Sequence, residues 1–194
     1  MDSHEEFRRI ALGKRVYASM REGGTHGQKE LSALRDLLES MDRAGQQLYC
    51  DPRLSAVDPP DCIARAAHGG LVAFEVTEFV SQLAVELNER ARPARGQRPA
   101  LATMVQARWE RPGFLDRIRT ILAEKDSKSF KGGPFGETIV LIHTDERLLI
   151  RSQCDAWLSD QAFGPFRQLT SAFLLYPYEP GVGYPFQAIS LAAA

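Results

Sequence analysis

Two carboxylates stand where surface charge does not explain them. Asp61 follows Pro59-Pro60 and opens one apolar stretch. Glu75 lies inside the next, Leu71-Val72-Ala73-Phe74-Glu75-Val76-Thr77. A carboxylate in a buried strand is costly unless it is paired or holds a metal. Side chains alternate along a strand, so Glu75 and Thr77 share a face with Leu71 and Ala73, while Val72, Phe74 and Val76 take the other. A short turn at His68-Gly69-Gly70 brings the Asp61 strand beside the Glu75 strand. Two carboxylates on neighbouring strands suit a hard cation such as Mg²⁺ or Mn²⁺, with a backbone carbonyl and waters completing the octahedron. A cation held there can polarise a phosphoryl oxygen and lower the pKa of a bound water.

These residues need elements to hold them. Ser3 and Glu6 form a capping-box pattern, which predicts a helix from Ser3 to Arg21. Thr25 and Gln28 form a second, before Leu31, Leu34, Leu38 and Met41 at helical spacing. Gln47 to Cys50 is a strand candidate before a loop around Pro52. Asp61 to Ala67 and Leu71 to Thr77 are strands, the second apolar enough for burial on both faces. Glu78 to Arg90 has helical spacing, and residues 91–99 form a basic Pro/Gly loop. Pro112 can open a helix carrying Leu115, Ile118, Ile121, Leu122 and Lys125 on one face, which Gly132-Gly133-Pro134 ends. Glu137 to Thr144 is a strand, 145–159 a helix, and Ala172–Tyr176 and Phe186–Ser190 are strands. Interleaved helices and buried strands predict an α/β layered domain with a mixed central sheet flanked by helices.

Composition narrows the classes. With 194 residues and 44% hydrophobic content, one domain with one core is expected. Formal charge is -1, but residues 90–131 carry +7 and the remainder -8. A basic segment in a slightly acidic chain suits a one-sided partner such as a phosphate backbone, and equally a solvated helix and loop. Cys50, Cys62 and Cys154 are scattered and odd in number, which fits a reduced, cytoplasmic setting. The four histidines lack zinc-site spacing. The polar, acidic start shows no signal peptide. No apolar run approaches the roughly 20 residues of a membrane span.

The joint pattern of Pro60-Asp61, a glycine turn and Glu75-Val76-Thr77 resembles the PD-(D/E)XK nuclease superfamily, whose fold is restriction-endonuclease-like. The element order is similar over roughly residues 25–145. The resemblance implies a metal-dependent nuclease hydrolysing DNA phosphodiester bonds, with Asp61 and Glu75 as ligands for Mg²⁺ or Mn²⁺. Thr77 takes the place of the motif lysine, which helps position or activate the attacking water; threonine carries no charge for that task. Some members carry the lysine elsewhere, and Lys125 is the best candidate here, since its stem continues the apolar row toward the sheet. The competing expectation is that Lys125 snorkels at the helix end, where a cation favours the dipole. Glu30 or Glu39 of the early helix is a weaker candidate for a further ligand.

Arg92, Arg95, Arg98 and Lys128 would track a nucleic-acid backbone, DNA before RNA. A homodimer is compatible with this; a membrane partner is not expected. The alternative is a catalytically degenerate nuclease fold used as a binding or interaction module, in a mobile-element, defence or toxin context. Without the resemblance, Asp61 reads as a turn residue and Glu75 as a buried acid paired with an Arg. Asp51, Asp58 and Asp61 lack the spacing of a calcium loop. Cys62 reads as a small strand hydrophobe. Trp109, Trp157 and Tyr176 read as packing residues, with base stacking a lesser reading for Trp109 beside Arg108 and Arg111. Residues 1–24 read as a helical extension, 25–145 as the nuclease-like core, and 146–194 as elements completing the sheet.

Overall fold

The computed structural model describes residues 25–81, 108–146 and 148–193. Helix α1 spans His26–Arg43, and strands β1 Tyr49–Leu54, β2 Cys62–Ala66 and β3 Leu71–Phe79 follow. Then come α2 Arg111–Asp126, β4 Glu137–Thr144, α3 Arg151–Leu158, β5 Ser171–Leu175 and β6 Phe186–Ile189. The six strands lie in one sheet in sequence order. β3, β4 and β5 run parallel at its centre, and the outer pairings are antiparallel, so the sheet is mixed.

Each face of the sheet has its own core. Leu34, Leu37 and Met41 of α1 pack on Val72, Phe74, Val76, Ile139 and Leu141. On the opposite face, Phe114, Ile118 and Leu122 of α2 and Cys154 and Leu158 of α3 pack on Phe79, Val140, Ile142 and Leu174. Ile139-Val140-Leu141-Ile142 therefore contributes to both cores, which is why the run is apolar without alternation. Strand parity puts Glu75 on the α2 side of the sheet. Helix α1 starts with the expected capping box: Gln28 N–H donates to Thr25 Oγ1 at 3.4 Å and Thr25 N–H to Gln28 Oε1 at 2.9 Å. Pro112 sits in the first turn of α2, where its missing N–H costs no hydrogen bond.

The expected boundaries shift in three places. The first strand begins at Tyr49 and runs through Pro52, at a register shift between Cys50 and Arg53. An edge strand tolerates proline there because one side of its ladder is open. Glu78 and Phe79 extend β3, paired with His143 and Thr144, where a helix was expected. Helix α3 starts at Arg151 and not at 145, because Glu146 is held in a turn. Its N–H donates to Thr144 Oγ1 and its carboxylate accepts the Ser81 N–H. The expected helix at Ser3–Arg21, the rest of the helix expected to Arg90, and the basic loop lie outside the described residues. Among the described residues, no helix is long and apolar enough to cross a membrane.

Candidate metal centre

Antiparallel pairing of β2 with β3 sets Cys62 opposite Phe74, so Asp61, one residue before, comes level with Glu75. The carboxylate of Asp61 is anchored by the main chain: Oδ2 accepts the Val76 N–H at 2.8 Å. Glu75 is 0% exposed. Its Oε2 accepts from Lys125 Nζ at 2.7 Å and from Lys128 Nζ at 2.6 Å. Lys125 Nζ also lies 3.8 Å from Asp61 Oδ2, so one ammonium spans both acids. Glu75 Oε1 is buried with no hydrogen-bond partner. An anionic oxygen without a donor in a buried site is expensive, and a bound cation is one way to offset that cost.

Asp58 completes an acidic group. One carboxylate oxygen from each of Asp58, Asp61 and Glu75 lies within 4.8 Å of the others, close enough to share one ion. The loop bearing Asp58 is tied to the segment after α2. Lys131 Nζ donates to the Asp58 carbonyl and Lys131 N–H to the Pro59 carbonyl, both at 2.9 Å. Glu30 of α1 joins the field: its charge interacts with Asp61, Lys125 and Glu75, and His26 Nε2 lies 3.5 Å from its Oε1. The three clustered carboxylates face two ammoniums, with Glu30 adding negative charge to the field and Lys131 at the rim.

Burial, ahead of the neighbouring charges, shifts these acids. Burial raises the pKa of Asp61; the Val76 N–H pulls it down, Glu75 pushes it up, and the two lysines do not cancel the rise. Burial also raises Glu30, and Asp61 adds to it. For Lys128, burial disfavours the charge, but the hydrogen bond to Glu75 and the charges of Glu75 and Asp61 outweigh it and hold the ammonium above its ordinary pKa.

The sequence-expected residues are sorted by this geometry. Asp61, Glu75 and Lys125 converge. Lys125 is 15% exposed and its ammonium sits on carboxylates, so it is not a solvent-snorkelling end residue. Glu75 is paired with two lysines and not with an Arg. Lys128, expected along a nucleic-acid backbone, has its ammonium on Glu75 here. Thr77 is half-buried, and its hydroxyl bonds neither carboxylate. Of the two early-helix acids, Glu30 reaches the cluster, while Glu39 pairs with Arg43 on the exposed side of α1. Arg92, Arg95 and Arg98 lie outside the described residues. Asp58 lacks calcium-loop spacing, and the sequence signal for its place beside Asp61 is its position three residues upstream across Pro59-Pro60. Cys62 is a buried core residue, and Trp109, Trp157 and Tyr176 pack on the α2-side core. Trp109 stacks tilted on Phe79 with ring centroids 4.5 Å apart. The chain matches no protein-family model, no curated protein and no solved structure, so what this centre does has to follow from its own atoms.

Proposed function

We propose that Asp58, Asp61 and Glu75 hold a divalent cation, Mg²⁺ or Mn²⁺, and that the centre hydrolyses phosphodiester bonds, with DNA as the substrate. The observation that carries this is Glu75: a fully buried acid with one oxygen unpartnered and the other held by lysine. Oxygen-only donors and a residual negative charge match a hard cation. When bound, the cation supplies Lewis acidity and a water of lowered pKa. The Val76 N–H fixes Asp61, so that ligand is preset. Lys125, at 2.7 and 3.8 Å from the two acids, holds a positive charge where an attacking water or a phosphoryl oxygen would sit beside them. It does from α2 what the residue at Thr77 cannot do. Asp61→Ala is expected to abolish Mn²⁺-dependent cleavage of duplex DNA with an unchanged far-ultraviolet circular dichroism spectrum. Undiminished cleavage by that folded variant would sink the assignment.

One observation favours a second reading. Thr77 replaces the motif lysine, and two internal lysines already neutralise part of the acidic cluster, as in a binding module that has lost its metal. Calorimetric titration with Mn²⁺ separates the two. No heat of binding, with a partner interaction insensitive to salt, selects the module; metal binding with steeply salt-dependent DNA binding selects the nuclease.

A further inference from the structure

The two lysines on Glu75 are not equivalent. Lys125 belongs to the last turn of α2, is 15% exposed and reaches Asp61 as well as Glu75. Lys128 lies past the helix end, is 36% exposed, and has Glu75 as the carboxylate it bonds. Its main chain is pinned: the carbonyl accepts Gln168 Nε2 and the N–H donates to the Lys125 carbonyl at 3.3 Å. What can move is the side chain. Both ammoniums share one oxygen, Glu75 Oε2, so each weakens the hold of the other by like-charge repulsion.

We propose that Lys128 is a transferable ammonium, seated on Glu75 while the centre lacks its cation and moved onto a non-bridging phosphate oxygen of the nucleic-acid strand once the cation is bound. This rests on the phosphodiesterase reading above. A cation on Glu75 neutralises the acid that retains Lys128. Lys125 keeps an ion pair with Asp61 at 3.8 Å, so the ammonium that leaves is the one whose ion pair, among the described residues, is with Glu75 alone. A phosphate brought to the cation would place a new anion within the same small site, and Lys128 is the more exposed of the two ammoniums. The switch is therefore from an internal to an external anion, exchanging one hydrogen-bonded ion pair for another with no change in the fold and no covalent bond made or broken.

The test is the salt dependence of binding to a nuclease-resistant phosphorothioate duplex, for the full chain and for Lys128→Gln, with Mn²⁺ and with chelator. Calorimetry on both proteins establishes Mn²⁺ uptake, and urea unfolding establishes that the variant is folded. Each phosphate contact to duplex DNA contributes about 0.9 to the slope of log K against log salt. The expected result is a slope lower by about one in Lys128→Gln with Mn²⁺, no difference with chelator, and recovery of the slope in Lys128→Arg. Equal slopes in both conditions, or an equal drop in both, overturn the transfer and leave the metal reading standing. Failure of the parent chain to take up Mn²⁺ overturns both.

Discussion

Asp126 and Glu75 are both buried acids at the same end of α2, and their surroundings differ in kind. The carboxylate of Asp126 receives three main-chain N–H groups from the loop before β5: Gln168 at 2.8 Å and Leu169 at 3.3 Å on Oδ1, and Arg167 at 3.1 Å on Oδ2. Burial works to raise its pKa, and those donors overcome it and hold the acid below the ordinary carboxylate range. Glu75 receives no such frame. Its donors are two long, flexible ammoniums on one oxygen, and the other oxygen has none. An acid saturated by fixed amides pins two segments together and offers nothing to a ligand. An acid met by movable charges, with one oxygen unpartnered, carries a cost in stability that the proposed cation would offset.

The largest expected effect breaks that pairing from the functional side. Glu75→Gln should lower Mn²⁺-dependent cleavage by more than the roughly 10- to 100-fold that outer-shell metal partners are worth, and should weaken Mn²⁺ binding in the same measurement series. Asp126→Ala should do the opposite. It strands three amide donors, and urea unfolding should show a loss of roughly 2–4 kcal/mol, with Mn²⁺ affinity within about twofold of the parent. If Asp126→Ala loses metal binding while remaining folded, or Glu75→Gln retains cleavage, the division between the two acids is wrong.

A second expected effect is the opposite pH behaviour of the two regions. Asp126 has a depressed pKa in the fold, so its stabilisation is present above the ordinary aspartate range and is lost as pH falls through the depressed value. Asp61 and Glu30 have raised values, so the unfolded chain releases their protons first and their ionisation erodes stability as pH rises through the raised range. Asp126→Asn should therefore be less stable than the parent at neutral pH, with the gap closing in acid. Asp61→Asn should be the more stable protein at neutral pH without metal, and its gap should also close in acid. Saturating Mn²⁺ should reverse the second comparison, adding about 2.7 kcal/mol to the parent at a hundredfold excess over the dissociation constant. Urea midpoints from about pH 3 to 7 check all three.

The framework behind this contrast was legible where local chemistry decides it. Thr25 with Gln28 marked the start of α1, Pro112 the start of α2, and the run Glu137–Thr144 matched β4 at both ends. Those signals act within a few residues. Asp61 and Glu75 were legible because a charge inside an apolar strand demands a partner, and Lys125 because its stem continues a buried row. What stayed hidden depends on long-range contact. Nothing near Pro52 says that β1 is an edge strand. Nothing near 145 says that Glu146 will spend its groups on Thr144 and Ser81. Lys128 is three residues after Lys125, in phase with the buried row, but it lies past the helix end, so its approach to Glu75 follows from the turn there and from Gln168, forty residues away.

Gln168 is also where the two regions touch, and it carries the smallest expected effect. Its N–H bonds Asp126 Oδ1, and its side-chain amide donates to the carbonyls of both Asp126 and Lys128. Gln168→Ala removes only the side-chain donors. Two neutral hydrogen bonds at a half-buried position are worth about 1–2 kcal/mol together, so the unfolding midpoint should fall modestly and the pKa-linked behaviour of Asp126 should persist. Loosening the Lys128 backbone should raise KM for duplex DNA severalfold while kcat stays within about twofold, because Lys125 and the acids proposed to hold the cation are untouched. A fall in kcat with unchanged KM would mean that this end of α2 positions Lys125 and not Lys128. The frame around Asp126 would then be part of the centre's alignment, and the contrast between a structural acid and a functional one would reduce to a difference of distance.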